Sequence, residues 1–380
     1  MLSAIGKGAF YRVLSALLLL CCSAVVPAAL ATAKPTERVL LVIPDGTYVP
    51  FWGNVNAFAE AVAEDLGYEI LLHVIPPAEN NRFRFAKSVF ERIDSLPEQA
   101  RPVLVISFIV KDAEGPLLSG LNERKLDTIT FNAPLEPALV RSIGWPREQY
   151  RHWLGHVAPD DIETGAALVR ILLAAWTDTR PAKMLAFAGD RTNRPSSRRV
   201  VGMETEALRS GMIELQQLVY TNWHKEDGLA KSQILFRRHA DTNFVWGASD
   251  FIVAGVIEML EGMDVEPGKD LLVGGIDWNE ENLDLIADGK QFVSFGGHLV
   301  EAGLALIYFH NYRCGHDFAD DIGILKKTQP IPITQQNVKA YRSKLRQETW
   351  PDIDFRRFDY CGKAEADLPS LSPKTLLDLP

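Results

Sequence analysis

Short apolar runs alternate with helix-period segments along almost the whole chain, and this alternation restricts the fold more than any other feature. The first unit sets the pattern. Val39-Leu40-Leu41-Val42-Ile43 is a continuous apolar run that ends at Pro44 and a turn, Asp45-Gly46-Thr47. Pro50-Phe51-Trp52 then opens a segment with Val55, Phe58, Val62 and Leu66 on one face. An unbroken apolar run is the mark of a parallel strand buried on both faces, and such strands present ligands beyond their carboxyl ends. Phe51 and Trp52 stand at that position, where either core packing or contact with a flat, hydrogen-bond-poor ligand face would use them.

The pattern repeats. Strands are expected at Glu69–Ile75, Val103–Ser107, Thr128–Phe131, Met184–Ala188, Leu215–Tyr220, Phe244–Trp246, Leu271–Ile276 and Phe292–Phe295. Helices are expected at about Phe85–Leu96, Asp161–Trp176, Ser197–Arg209, Gly228–Phe236, Asp250–Leu260, Glu281–Ala287 and Val300–Asn311. About ten such units predict an α/β protein with doubly wound parallel sheets covered on both faces. Single cores stop growing at roughly 250–300 residues, so two lobes are expected, with a break near Trp153–Asp160. Thr328–Ile333 reads as extended, Val338–Arg346 as a helix, and the rest of the C-terminal segment has little periodicity.

The N-terminus bears on compartment. Residues 1–33 have a basic start (Lys7, Arg12), an apolar segment from Val13 to Val26, small residues at Ala29, Ala31 and Ala33, and no acid before Glu37. This is the layout of a secretory signal peptide removed after Ala31 or Ala33, and it predicts a periplasmic protein. Its removal takes the net charge from −9 to −11. Nucleic-acid binding relies on a basic face that releases counterions, so it is not expected. Cys314 and Cys361 are the cysteines left after removal, and they are either a disulfide or two buried thiols.

Several chemistries lack their motifs. No phosphate-cradling glycine loop stands at a strand–helix junction. Gly247-Ala248-Ser249-Asp250 falls short of a nucleophile elbow. His152 and His156 are four apart, but Gly155 and Pro159 disfavour a helix there. In an oxidising compartment Cys314, between His310 and His316, is better suited to oxidation than to metal. No cofactor, no metal and no catalytic residue is expected.

Five local patterns in order resemble the type 1 periplasmic binding proteins, over about Arg38–Ile333. They are Pro50-Phe51-Trp52, Ser197-Arg198-Arg199-Val200-Val201-Gly202, Ser249-Asp250-Phe251-Ile252-Val253-Ala254-Gly255, Val273-Gly274-Gly275-Ile276-Asp277, and Asp288-Gly289-Lys290 leading into Val293-Ser294-Phe295. The resemblance implies two lobes joined by three crossings near His156, Gly297 and Lys326. The first lobe would be 38–156 plus 297–325, the second 157–296 plus 326–336, with 337–380 as a C-terminal extension.

By the same resemblance, ligand would sit between the lobes. Phe51 and Trp52 would stack on it from the first lobe and Trp223 from the second. Ser107, Asn132 and Ser249 would hydrogen-bond its hydroxyls. Arg199 would grip it with a fork of fixed donors, and Asp277 would accept from hydroxyls. Asp250 would cap its helix, and Trp246 and Trp278 would narrow the pocket. Relatives that bind ribose have an asparagine where Val49 stands, Asp-Arg in place of Asn132-Ala133, and a glutamine in place of Gly297, which His298 follows. A different sugar or a related hydroxylated signal is therefore expected. The implied role is capture of a sugar-like solute by a monomer that delivers it to the permease of an ABC importer. The rivals are a sensor subunit for a membrane kinase, cyclase or chemoreceptor, and an exported α/β enzyme.

Overall fold

The computed structural model describes residues 36–45, 51–263, 265–363 and 369–379. The expected signal peptide, residues 1–33, lies outside the described residues, as does the segment 46–50. Among the described residues no helix is long and apolar enough to cross a membrane.

The first lobe runs β1 (Glu37–Pro44), α1 (Phe51–Leu66), β2 (Tyr68–Ile75), α2 (Phe85–Asp94), β3 (Leu104–Phe108), α3 (Glu114–Glu123), β4 (Asp127–Phe131), α4 (Pro137–Ile143) and β5 (Trp153–Pro159). The second runs α5 (Asp161–Ala174), β6 (Ala182–Ala188), α6 (Arg194–Ser210), β7 (Ile213–Tyr220), α7 (Lys225–Arg238), β8 (Phe244–Gly247), α8 (Asp250–Glu261), β9 (Leu272–Ile276), α9 (Glu280–Ala287) and β10 (Val293–Gly296). The chain then returns through α10 (Glu301–Arg313) and α11 (Phe318–Asp321) to β11 (Leu325–Thr328). It passes on to β12 (Ile331–Thr334), α12 (Val338–Arg342) and, near the end, α13 (Pro373–Leu376).

Two six-stranded sheets result, ordered β11-β5-β4-β3-β1-β2 and β12-β10-β9-β8-β6-β7. Every strand pair is parallel except β10 with β12. In both sheets the order reverses beside the first strand, between β1 and β3 and between β6 and β8. Such switch points are where doubly wound sheets open a crevice for ligand.

The strands are the apolar runs of the sequence. Val39, Leu40, Leu41 and Val42 are completely buried in β1. Against that sheet α1 buries Val55, Phe58 and Val62, each worth about 1.5–3 kcal/mol relative to exposure.

The chain passes between sheets at Asp160, at Gly297–His298 and at Gln329–Pro330. His156 and Lys326, the positions expected for two of the crossings, lie inside β5 and β11, which pair with each other. The segment Trp153–Pro159 reads as a break in sequence because Gly155, His156 and Pro159 interrupt its apolar run. It is a strand with all seven residues buried, and Gly155 is required there: a Cβ would come within 2.7 Å of the Phe318 ring.

Candidate functional site

The two switch points face one cleft of about 680 Å³. The first lobe lines it with Phe51 and Trp52 after β1, Phe108 at the end of β3 and Ile109 to Asp112 after it, and Asn132 after β4. The second lobe adds Asp190, Thr192, Asn193 and Arg194 after β6, Trp223 after β7, Ser249 after β8, Asp277 after β9 and the α6 residue Arg199, and His298 comes from a crossing.

Arg199 organises the floor. It reaches this place because α5 and α6 touch backbone to backbone: a Cβ on Gly165 would lie 2.0 Å from the Arg199 carbonyl oxygen, and one on Gly202 would lie 1.9 Å from that of Ile162. The Arg199 Nε–H donates to Asp161 Oδ1 at 2.8 Å. Its Nη1 donates to the Ala248 carbonyl at 2.7 Å and to Asp277 Oδ1 at 3.2 Å, and Nη2 lies 3.3 Å from His298 Nε2. Burial works against the Arg199 charge, but the carboxylates of Asp161 and Asp277 outweigh it and raise its pKa. Burial likewise works against ionised Asp277, and Arg199 and then His298 hold its carboxyl below the usual range. The floor is therefore a desolvated ionic cluster whose partners are preorganised, the condition under which polar contacts discriminate between ligands.

The turn beneath Asp277 is strained. Asp277 has φ 120° and Trp278 φ 62°, left-handed values that cost non-glycine residues on the order of 1–3 kcal/mol each. Buried polar groups hold it in place. Ser249 caps α8 and donates its Oγ–H to Asp277 Oδ2 at 2.6 Å. Asp250 is completely buried and accepts from Ser294 Oγ (2.6 Å), Gln291 Nε2 (2.9 Å) and the Asn279 amide (3.1 Å). Burial and then the Asp277 charge push the Asp250 carboxyl up to about 8, against the pull of the three hydrogen bonds that it accepts. The cap expected of Asp250 is thus supplied by Ser249, and Asp250 supports the turn.

Aromatic walls complete the cleft. Trp52 rests on Phe108 and Phe131 at ring separations of 5.9 and 6.2 Å. Trp223, at φ 72°, lies over Gly189, where a Cβ would sit 2.2 Å from its ring. Both are half-buried and line the cleft from opposite lobes. Phe51 is buried, with one face on His298 at a centroid distance of 4.8 Å. Among the described residues, Arg194 pairs with Glu114 and Arg198 with Glu136 across the lobes.

Phe51, Trp52, Asn132, Arg199, Trp223, Ser249, Asp277 and His298 therefore share one cleft, and Ser107 does not line it. β3 extends to Phe108, so Ser107 lies within the strand, completely buried, and its hydroxyl donates to the Phe108 carbonyl at 2.8 Å. Trp246 and Trp278 do not narrow the pocket. The Trp246 indole donates to the Gly165 carbonyl within the core at 3.1 Å, and Trp278 packs against Tyr341. The rim residues Asn80 to Arg82, Lys111, Asp112, Asp190, Thr192 and Asn193 are not among those expected from sequence. The signal was available, since each group follows a β-strand's carboxyl end.

Residues 40–309 match the family model of the periplasmic binding protein domain, and the chain belongs to that family. No curated protein matches it. Among solved structures it is similar to a periplasmic sugar-binding protein from Pseudomonas fluorescens, at 23% identity and TM-score 0.77 over 90% of this chain and 99% of that one. It is also similar to the periplasmic component of an arabinose ABC transporter from Shewanella sp. ANA-3, bound to α- and β-L-arabinofuranose, at 15% identity and TM-score 0.67 over 82% and 97% of the two chains. A third is an ABC transporter solute-binding protein from Actinobacillus succinogenes with bound D-allose, at 14% identity and TM-score 0.66 over 80% and 99%. At these identities the likeness is one of fold.

Proposed function

We propose that this protein is an exported, monomeric periplasmic solute-binding protein that captures a sugar or sugar-like molecule in its cleft for the permease of an ABC importer. The observation that carries this reading is the joint placement of Trp52 and Trp223 on opposite walls above the Arg199–Asp277 cluster. A pyranose or furanose ring offers C–H faces to aromatic rings and hydroxyls at its edge. Aromatic walls over a charged, hydrogen-bonding floor match both features. Asn132, Ser249 and His298 would complete the hydrogen bonding. Capture proceeds by closure of the lobes about their crossings, a hinge motion, and no bond is made or broken. The sugars bound in two of the structural relatives, arabinofuranose and D-allose, are consistent with this reading. The replacements at Val49, Asn132-Ala133 and Gly297 argue for a ligand other than ribose.

Isothermal titration against a panel of aldoses in pyranose and furanose forms, with disaccharides as controls, tests the proposal. One member should bind with 1:1 stoichiometry and be recovered unchanged. Failure of every sugar to bind, or recovery of a chemically altered sugar, would overturn it.

A further inference from the structure

The segment after β12 has no place in either sheet, yet it buries large side chains and contacts both lobes. It begins on the second lobe, where α12 lies along α9. The Tyr341 ring is 6.0 Å from that of Trp278, Arg342 pairs with Asp284, and Arg346 approaches Glu280 at 3.9 Å. The chain then passes to the first lobe through two 3-10 turns, Gln347–Asp352 and Phe355–Phe358. There the Trp350 and Phe355 rings meet Phe58 of α1 at 5.5 and 5.4 Å, and the Phe355 amide donates to Asp65 at 2.7 Å. Cys361 is joined to Cys314 at the end of α10 by a disulfide. Finally α13 turns back to the second crossing, where a Cβ on Gly297 would lie 3.3 Å from Pro373.

This route fastens the lobes together a fourth time, in addition to the three crossings, and none of its residues lines the cleft. It also touches the binding floor indirectly. Trp278 immediately follows Asp277 in the strained turn, and its ring fills the space that a Cβ on Gly296 would need, at 2.5 Å. Tyr341 closes over that ring. Opening the lobes must either carry α12 away from α9 or move the extension off α1.

We propose that residues 337–363, with 369–379 after them, form a strap that limits how far the lobes open and, through Tyr341 on Trp278, holds the Asp277 turn, so that ligand exchange is slowed. The slowed exchange rests on the cleft being the binding site proposed above; the limited opening does not.

Spin labels at Lys87→Cys on α2 and Leu208→Cys on α6, both strongly exposed positions, read the interlobe distance with no ligand present. The double variant Tyr341→Ala, Arg342→Ala should shift the distance distribution to longer values by several ångströms. With a sugar that binds, it should also raise the dissociation rate at least threefold. As a second test, a protease site inserted between the exposed Gln335 and Gln336 allows the strap to be cut in the folded protein. The disulfide retains the cut strap and only its covalent tie to β12 is lost, so a smaller shift in the same direction is expected with every side chain still present. Distances identical to wild type in both the double variant and the nicked protein would overturn the strap. If the distances lengthen but no sugar binds, the strap stands and the proposed function fails.

Discussion

The cleft and the strap both bridge the two lobes, the first with mainly ionic and the second with mainly apolar burial. In the cleft the contacts are ions and hydrogen bonds: Arg199, Asp161 and Asp277 of the second lobe meet His298 of a crossing on the floor, and Arg194 and Arg198 pair across the gap with Glu114 and Glu136 of the first lobe. The strap meets the first lobe through apolar contacts built on Trp350, Phe355 and Phe358, all essentially buried, and the second through Tyr341 on Trp278 with the Arg342–Asp284 pair at the surface. Buried ion pairs add little net stability because desolvation offsets attraction, while removing one partner is costly. Apolar burial is favourable and non-directional. The cleft therefore has the character of a selective surface and the strap that of a fastening, and substitutions should separate the two.

The largest effect is expected for Arg199→Ala. It strands two carboxylates that are almost fully buried, and should cost about 3–5 kcal/mol in denaturant unfolding and abolish binding in titration. A small stability change would break the comparison by showing the floor to be loosely held. Next comes the strap. Replacing Cys314 and Cys361 by serine reopens a loop with a sequence separation of 47 residues, which chain-entropy reasoning values at about 4 kcal/mol or somewhat less. Affinity per folded molecule should change far less than stability.

Trp52→Ala reverses that pattern. Its half-buried ring should contribute about 1–3 kcal/mol to affinity, read by titration, with less than about 1.5 kcal/mol lost in unfolding. Equal losses in both would erase the distinction between wall and core. The smallest effect is a pH dependence. Glu301, completely buried near the second crossing, has its carboxyl pushed up to about 8 by burial, with Asp161 adding to the rise and the Thr328 hydroxyl opposing it. Its folded value exceeds its unfolded one. The contribution to stability is thus full below about pH 4.5 and is lost as pH rises towards about 8. Glu301→Gln, which cannot ionise, should gain on wild type by about 1 kcal/mol or more between pH 5 and 8.5. A constant difference across that range would contradict the assignment.

Much of this architecture is legible in the sequence, because a strand buried on both faces must be apolar throughout. β1, β6 and β9 are such runs. β5 is hidden because it spends glycine and proline on the close approach of Phe318 and on the exit from the sheet. α3 and α4 are hidden because they are short and weakly periodic. The strap resists sequence reading for a related reason, since 3-10 turns around isolated aromatics have no repeat to detect. At the site, Arg199 and Asp277 follow from family pattern and Trp52 and Trp223 from their position after strands. Ser107 was misplaced by a one-residue error in where β3 ends. The rim was missed because its polar residues resemble ordinary surface until two lobes bring them together.

The most direct test of the account is a crystal structure of the protein with the sugar that titration identifies. Electron density for one sugar is expected between the Trp52 and Trp223 rings, with hydroxyls in hydrogen-bond reach of Asp277 and Arg199. Density for that sugar at any other place on the molecule would contradict it.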